Sequence, residues 1–154
     1  MQATEAMSRN PVCVGPETTV AEVANIMRSR GHSNLPVTDE DGRYLGVIGA
    51  HDIVGRCLPT YLSEVGDLYR SGEFQPFIDR AREAASLPVT AVMRSDSPTA
   101  REDTPLAEIA SLMTIHHVHL MPILRDQMLV GVIGMLDIVD RLSAIAFTRG
   151  QPEP

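Results

Sequence analysis

A chain of 154 residues is long enough for one compact domain or for two small ones sharing a core. Its 44% apolar content against 21% charged residues excludes a disordered polymer, and a formal charge of −7 excludes the basic footprint that nonspecific nucleic-acid binding needs. Aromatics are 4% and Trp is absent, so the core must be built from Val, Ile, Leu and Met.

The first ten residues contain no apolar core of the signal-peptide kind, and the longest apolar stretch, 128–136, is too short to cross a bilayer. Cys13 and Cys57 are too few for a disulfide framework and lack metal-ligand spacing. They read as reduced, small core residues, and the expected location is the cytoplasm. Pro11-Val-Cys-Val14 is a short extended segment, because a proline biases its predecessor away from helix. Thr18 or Thr19 then caps a helix, with Glu22 placed to complete a capping box from Thr19. Val20, Val23, Ala24 and Met27 form its apolar stripe and Gly31 ends it.

Two apolar runs follow, Asn34-Leu-Pro-Val-Thr38 and Tyr44-Leu-Gly-Val-Ile48, around an Asp-Gly turn that signals a hairpin. Asp52-Ile-Val54 opens another helix, to about Leu58. The stretch 59–89 is expected to be an ordered linker, with helices over residues 61–69 and 74–85 and Ser71-Gly72 separating them. Thr104, with Pro105 in the first turn, starts the next helix, whose stripe is Leu106, Ile109, Ala110 and Met113. A second hairpin, 120–124 and 128–133, turns at Arg125-Asp-Gln127, and Asp137 begins a last helix to about Phe147. The tail 150–154 is expected to fray.

These elements occur twice. Met7 matches Met93, Thr18 matches Thr104, Glu22 matches Glu108, Met27 matches Met113 and Pro36 matches Pro122, each 86 positions apart. Past the shorter second turn, Gly46-Val-Ile-Gly49-Ala-His-Asp52-Ile-Val54 matches Gly131-Val-Ile-Gly134-Met-Leu-Asp137-Ile-Val139 at 85. The fold class is therefore α/β (α+β): repeat 1 over 1–58, helical linker 59–89, repeat 2 over 90–148 and a tail 149–154.

Repeats of the order strand, helix, strand, strand, helix, with Leu-Pro-Val before a hairpin and Gly-Val-Ile-x-x-x-Asp-Ile-Val after it, resemble cystathionine β-synthase (CBS) domains. Two in tandem resemble a CBS-domain pair, or Bateman module. The resemblance implies a regulatory, noncatalytic module whose repeats pack by pseudo-twofold symmetry and take an adenosine nucleotide (AMP, ADP or ATP) in the clefts between them. It implies that Asp52 and Asp137 hold ribose hydroxyls, a task suited to a carboxylate, which accepts from both hydroxyls of a vicinal diol. It places Asn34, Leu35 and Pro36, and His119, Met121 and Pro122, along the base pocket, with Val47, Val132 and Ile133 as apolar contacts. The bare residues leave another role open for both aspartates: satisfying the free N–H groups of a helix N-terminus.

Gly49 and Gly134 replace the Thr or Ser of the family motif. Each loses a hydroxyl, roughly 0.5–1.5 kcal/mol of binding, while opening space and a backbone N–H toward an anion. His51 is matched by Leu136, so the expectation is one anionic-ligand site on Asp52 and His51, with Arg56 and Arg43 as further charge. The second site would be empty or take a less charged ligand. Two other readings stand beside this one: an interaction module with decayed sites, and a sensor of S-adenosylmethionine or another adenosyl compound. The resemblance further implies a homodimer assembled through helices, and an enzyme or transporter as the regulated partner.

His116, His117 and His119 crowd one strand start, with His117 and His119 expected on one face, yet no Cys, Asp or Glu adjoins them and no metal site is assigned. The methionines read as core filling, except Met121, which is placed in the ligand pocket. No nucleophile–base pair, phosphate loop or dinucleotide fingerprint is discernible, and no catalytic residue or obligatory cofactor is assigned.

Overall fold

The computed structural model describes residues 1–58 and 75–147. Helix α1 (Val20–Arg30) starts where its caps predict: Thr19 Oγ1 accepts from Glu22 N at 3.3 Å, and Glu22 Oε2 accepts from Thr19 N at 2.9 Å. Gly31 ends it with φ of 70°, a left-handed conformation that costs glycine nothing. Strands β1 (Asn34–Thr38) and β2 (Tyr44–Gly49) pair, and β2 leads directly into α2 (Ala50–Cys57). Helix α3 (Gln75–Ala85) packs on α2 and on α1, with Phe77 and Ile78 half-buried and Ala84 buried.

The second copy comprises β3 (Ala100–Arg101), α4 (Leu106–Ile115), β4 (Leu120–Arg125), β5 (Met128–Gly134) and α5 (Met135–Leu142). A π-helical turn, Ser143–Phe147, continues α5. Strand β4 is central, parallel to β3 and antiparallel to β5, with Met121 opposite Ile133 and Pro122 opposite Val132. The tight turn is made by Asp126 and Gln127, both at positive φ, as a two-residue hairpin loop of type I′ requires. This is the mixed helix-and-strand class that the repeat pattern predicts.

The compact units are not contiguous in sequence. One contains Met1–Val12, Asp41–Tyr44 and the described residues from Asp96 onward; the other contains Cys13–Glu40 and the described residues of Leu45–Ser95. Each repeat's leading segment therefore packs with the other repeat's helices and strands. In the first unit Ala3–Glu5 forms a 3₁₀ turn, Met1 O accepts from Leu106 N at 3.0 Å, and Ser8 exchanges two backbone hydrogen bonds with Val132. In the second unit Val89–Ala91 forms the equivalent turn, Leu87 O accepts from Val20 N at 2.9 Å, and Arg94 exchanges two bonds with Val47. The exchange satisfies helix-start N–H groups that would otherwise lack partners.

Four expectations need correction. Thr104 does not cap α4: its hydroxyl accepts from Arg101 N at 2.9 Å, Pro105 takes the cap position, and Met1 supplies the acceptor instead. Ala24 is exposed beside the stripe of Val20, Val23 and Met27, and Ala110 is half-buried. Helices α2 and α5 start two residues before the aspartates, making Asp52 and Asp137 their third residues. His117 is not in a strand; it follows α4 at φ of 53°, the position Gly31 holds in the first copy. The helix expected over 61–69, the Ser71-Gly72 break and the tail 150–154 lie outside the described residues.

The core of the first unit is Ala3, Met7, Ala100, Leu106, Ile109, Met113, Val118, Met121, Ile123, Ile133 and Ile138. Among the described residues of the second, Val14, Val20, Val23, Met27, Leu35, Val37, Val47, Ile48, Cys57, Ala84 and Val89 are buried and apolar. Burial raises the Cys13 thiol pKa, against a smaller opposing effect of a hydrogen bond from Thr38, so the thiol stays protonated and unreactive at neutral pH. Among the described residues no helix is long and apolar enough to cross a membrane.

Candidate ligand site

The strand-to-helix junction of each repeat is built the same way. Strand β2 ends at Gly49, the N-cap of α2, and Asp52 Oδ2 accepts from Gly49 N at 2.8 Å. Strand β5 ends at Gly134, the N-cap of α5, and Asp137 Oδ2 accepts from Gly134 N at 2.6 Å. Glycine has no side chain to cap with, so among the described residues the only side-chain bond to backbone at each helix start is the carboxylate reaching back to the glycine N–H. Ser33 O accepts from Ala50 N at 2.8 Å, and His119 O accepts from Met135 N at 3.3 Å. The glycine N–H groups expected to face an anion are thus already bonded, as are the Ser33 and His119 carbonyls.

The two junctions then diverge. Arg94 Nε lies 3.0 Å from Asp52 Oδ1 and 3.1 Å from Oδ2, so one guanidinium spans both carboxylate oxygens. The Asp52 side chain is 13% exposed, and a partly desolvated pair of this kind is screened less than a surface ion pair. A Cβ on Gly49 would stand 2.6 Å from Asn34 Oδ1; the Asn34 amide fills the space that the missing Thr or Ser would take. At the second junction Ser8 takes the place of Arg94 and Leu120 that of Asn34. Asp137 has no cation within ion-pair distance among the described residues, and above Gly134 the nearest atom is Asp137 Oδ2 at 3.4 Å.

The remaining predicted residues separate into core and surface. Leu35, Met121, Val47 and Ile133 are 0–1% exposed, and Pro36 and Pro122 are buried, so these line the core, not an open pocket. Strands β1 and β4 each bury three consecutive residues, so both of their faces are covered and the apolar runs Leu35-Pro-Val37 and Met121-Pro-Ile123 are enclosed. His51 and His119 are exposed, and no hydrogen bond or ion pair joins His51 to Asp52 among the described residues. Arg56 is exposed on α2. Arg43 donates to Gln127 Oε1 at 2.9 Å in the first unit, whereas Asp52 belongs to the second. Arg94 was not anticipated, since nothing local links it to Asp52; its difference from Ser8 at an otherwise matched position was the available signal. Among the described residues no three His, Cys, Asp or Glu side chains group as metal ligands.

Two copies of one α+β unit, each ending in a helix whose third residue is a carboxylate, define a tandem-repeat module. The CBS domain family model matches residues 3–58 and 89–144, and the chain belongs to the CBS domain family as a tandem pair. It is 28% identical over 141 residues to the inosine-5'-monophosphate dehydrogenase of Methanocaldococcus jannaschii, covering 91% of this chain and 23% of that enzyme. The chain spans about a quarter of the length of the dehydrogenases it matches. The crystal structure of CBSX2 in complex with AMP shares its fold at a TM-score of 0.72 and 18% identity, covering 94% of this chain and 97% of that one. The CBS pair of protein MJ0100, in complex with 5'-methylthioadenosine and S-adenosyl-L-methionine, does so at 0.69 and 20%, again over 94% and 97%.

Proposed function

We propose that this CBS pair is a regulatory module that binds an adenosine-type ligand, its ribose held by a carboxylate at the start of a repeat's last helix. The observation that carries this reading is the Asp137 junction: a partly exposed carboxylate, one oxygen tied to Gly134 N–H, no cation within ion-pair distance among the described residues, and room for a Cβ over the glycine without a clash. Such a group accepts hydrogen bonds from a vicinal diol in a fixed direction. The AMP and adenosyl compounds bound by the similar CBS pairs support the ligand class. Binding would act by population shift, favouring the conformation with the higher affinity, which a regulated enzyme or transporter in the cytoplasm then reads.

The same reading includes a homodimer. Along α5 and the turn after it Leu136, Val139, Leu142, Ile145 and Phe147 are 76, 45, 48, 57 and 67% exposed, more large apolar surface than one short helix ordinarily leaves to water. In the second unit α3 covers α1 and α2, and no equivalent helix packs on the first unit's α5 among the described residues.

A melting series with AMP, ADP, ATP, adenosine and S-adenosylmethionine tests the ligand reading. A cognate compound at 100 times its dissociation constant adds about 2.7 kcal/mol, a rise of several degrees. Light scattering on the same sample should give twice 16.8 kDa. A flat melting series at millimolar ligand would instead favour an interaction module without ligands, for which the filled space over Gly49 already argues in the first repeat.

A further inference from the structure

We propose that Arg94 is a built-in occupant of the first repeat's site, so that the chain presents one open diol-binding carboxylate, Asp137, and one closed, Asp52. This inference rests on the ligand reading above and adds its stoichiometry and the residue that sets it. A carboxylate binds a diol by accepting from both hydroxyls, and Arg94 Nε already spans both oxygens of Asp52, at 3.0 and 3.1 Å. A diol can displace that guanidinium only by stripping a charge-assisted bond and leaving Arg94 without its counter-ion.

Arg94 is held in place by more than the ion pair. Its N–H and C=O exchange hydrogen bonds with Val47 at 2.9 Å each, and Gly46 lets the Arg94 carbonyl approach so closely that a Cβ there would stand 2.6 Å away. The side chain therefore projects from a backbone fixed one strand over from the junction. Asn34 closes the other approach, over Gly49. At the second junction Ser8, which matches Arg94, makes the same two backbone bonds to Val132 and carries no charge. Arg9, the nearest arginine in sequence, is turned to the Thr4 carbonyl at 3.5 Å. The repeats thus keep one backbone architecture, and Arg94 in place of Ser8, with Asn34 in place of Leu120, makes the Asp52 carboxylate unavailable.

The test is calorimetric titration with adenosine, which has the diol and no phosphate, and with 2'-deoxyadenosine, which lacks the diol. Wild type is expected to bind adenosine at one site per chain and 2'-deoxyadenosine at least tenfold more weakly. Arg94→Ala should bind at two sites, Asp137→Ala at none, and the double variant at one. Arg94→Gln, which keeps most of the side chain without its charge, should also bind at two, and melting curves confirm that each variant is folded. Two sites in wild type, or one in folded Arg94→Ala and Arg94→Gln, would overturn the closure and leave the ligand reading intact. No binding by wild type or by either Arg94 variant would overturn the ligand reading itself.

Discussion

Met121→Ala should unfold at a lower denaturant concentration, by the equivalent of roughly 2–5 kcal/mol, whether or not a ligand is present. Its side chain is 0% exposed on the central strand β4, opposite Ile133 and within the cluster that includes Ile109, Met113 and Ile123. Truncation removes buried methylenes and the thioether and leaves a cavity that neighbours from three elements cannot all relax to fill. The result separates two roles for a residue that the family resemblance places in a ligand pocket. A pocket residue would lose ligand affinity with little loss of stability in the free protein. Equilibrium urea unfolding with unchanged slope decides between them. A loss below about 0.5 kcal/mol, the range of ordinary surface substitutions, would mean that Met121 is not a core residue.

Gly131→Ala is expected to cost about 1–3 kcal/mol, as overpacking does, and to weaken the attachment of the chain's first residues. The added Cβ would stand 2.8 Å from Ser8 O and 2.9 Å from Met7 Sδ. The methionine sulfur can swing away. The carbonyl cannot, because Ser8 O accepts from Val132 N at 3.0 Å and Ser8 N donates to Val132 O at 2.9 Å. Gly46→Ala should do the same in the other unit, where the added atom meets Arg94 O at 2.6 Å. There the damage has a second consequence, since displacing Arg94 disturbs the ion pair with Asp52. Hydrogen exchange at Ser8 and Val132, or at Arg94 and Val47, reports the loosening locally. Alanine variants as stable as wild type, with unchanged protection there, would contradict the close approach.

Both substitutions mark where the sequence stops being readable. Thr19, Glu22 and Gly31 announce a helix start and stop because capping acts over three or four residues, and the structure has those bonds. The two hairpins follow from apolar runs around short polar turns, and their duplication at a constant spacing identifies the fold. The aspartates were legible as helix-start residues for the same reason, and Gly49 and Gly134 N–H groups bond to them. By contrast, Leu35 and Met121 look alike in sequence whether they face a pocket or a core, since both environments are apolar. Thr104 matches Thr18, and both hydroxyls accept from the residue three before them, Arg101 N and Gly15 N. Which acceptor then reaches the next helix's first N–H depends on Met1, more than a hundred residues away.

What the sequence determined by itself is the repeated local plan: capped helices, hairpins, and a carboxylate three residues into each closing helix. These rest on interactions within one turn of chain, so residue type and spacing suffice to specify them. The tertiary structure alone decided the exchange of the leading segments between repeats, the filling of the space over Gly49 by Asn34, and the pairing of Arg94 with Asp52 across 42 positions. The physical reason is that a backbone N–H donates to, and a carboxylate accepts from, any partner of the right chemistry. Only the folded chain determines which one arrives.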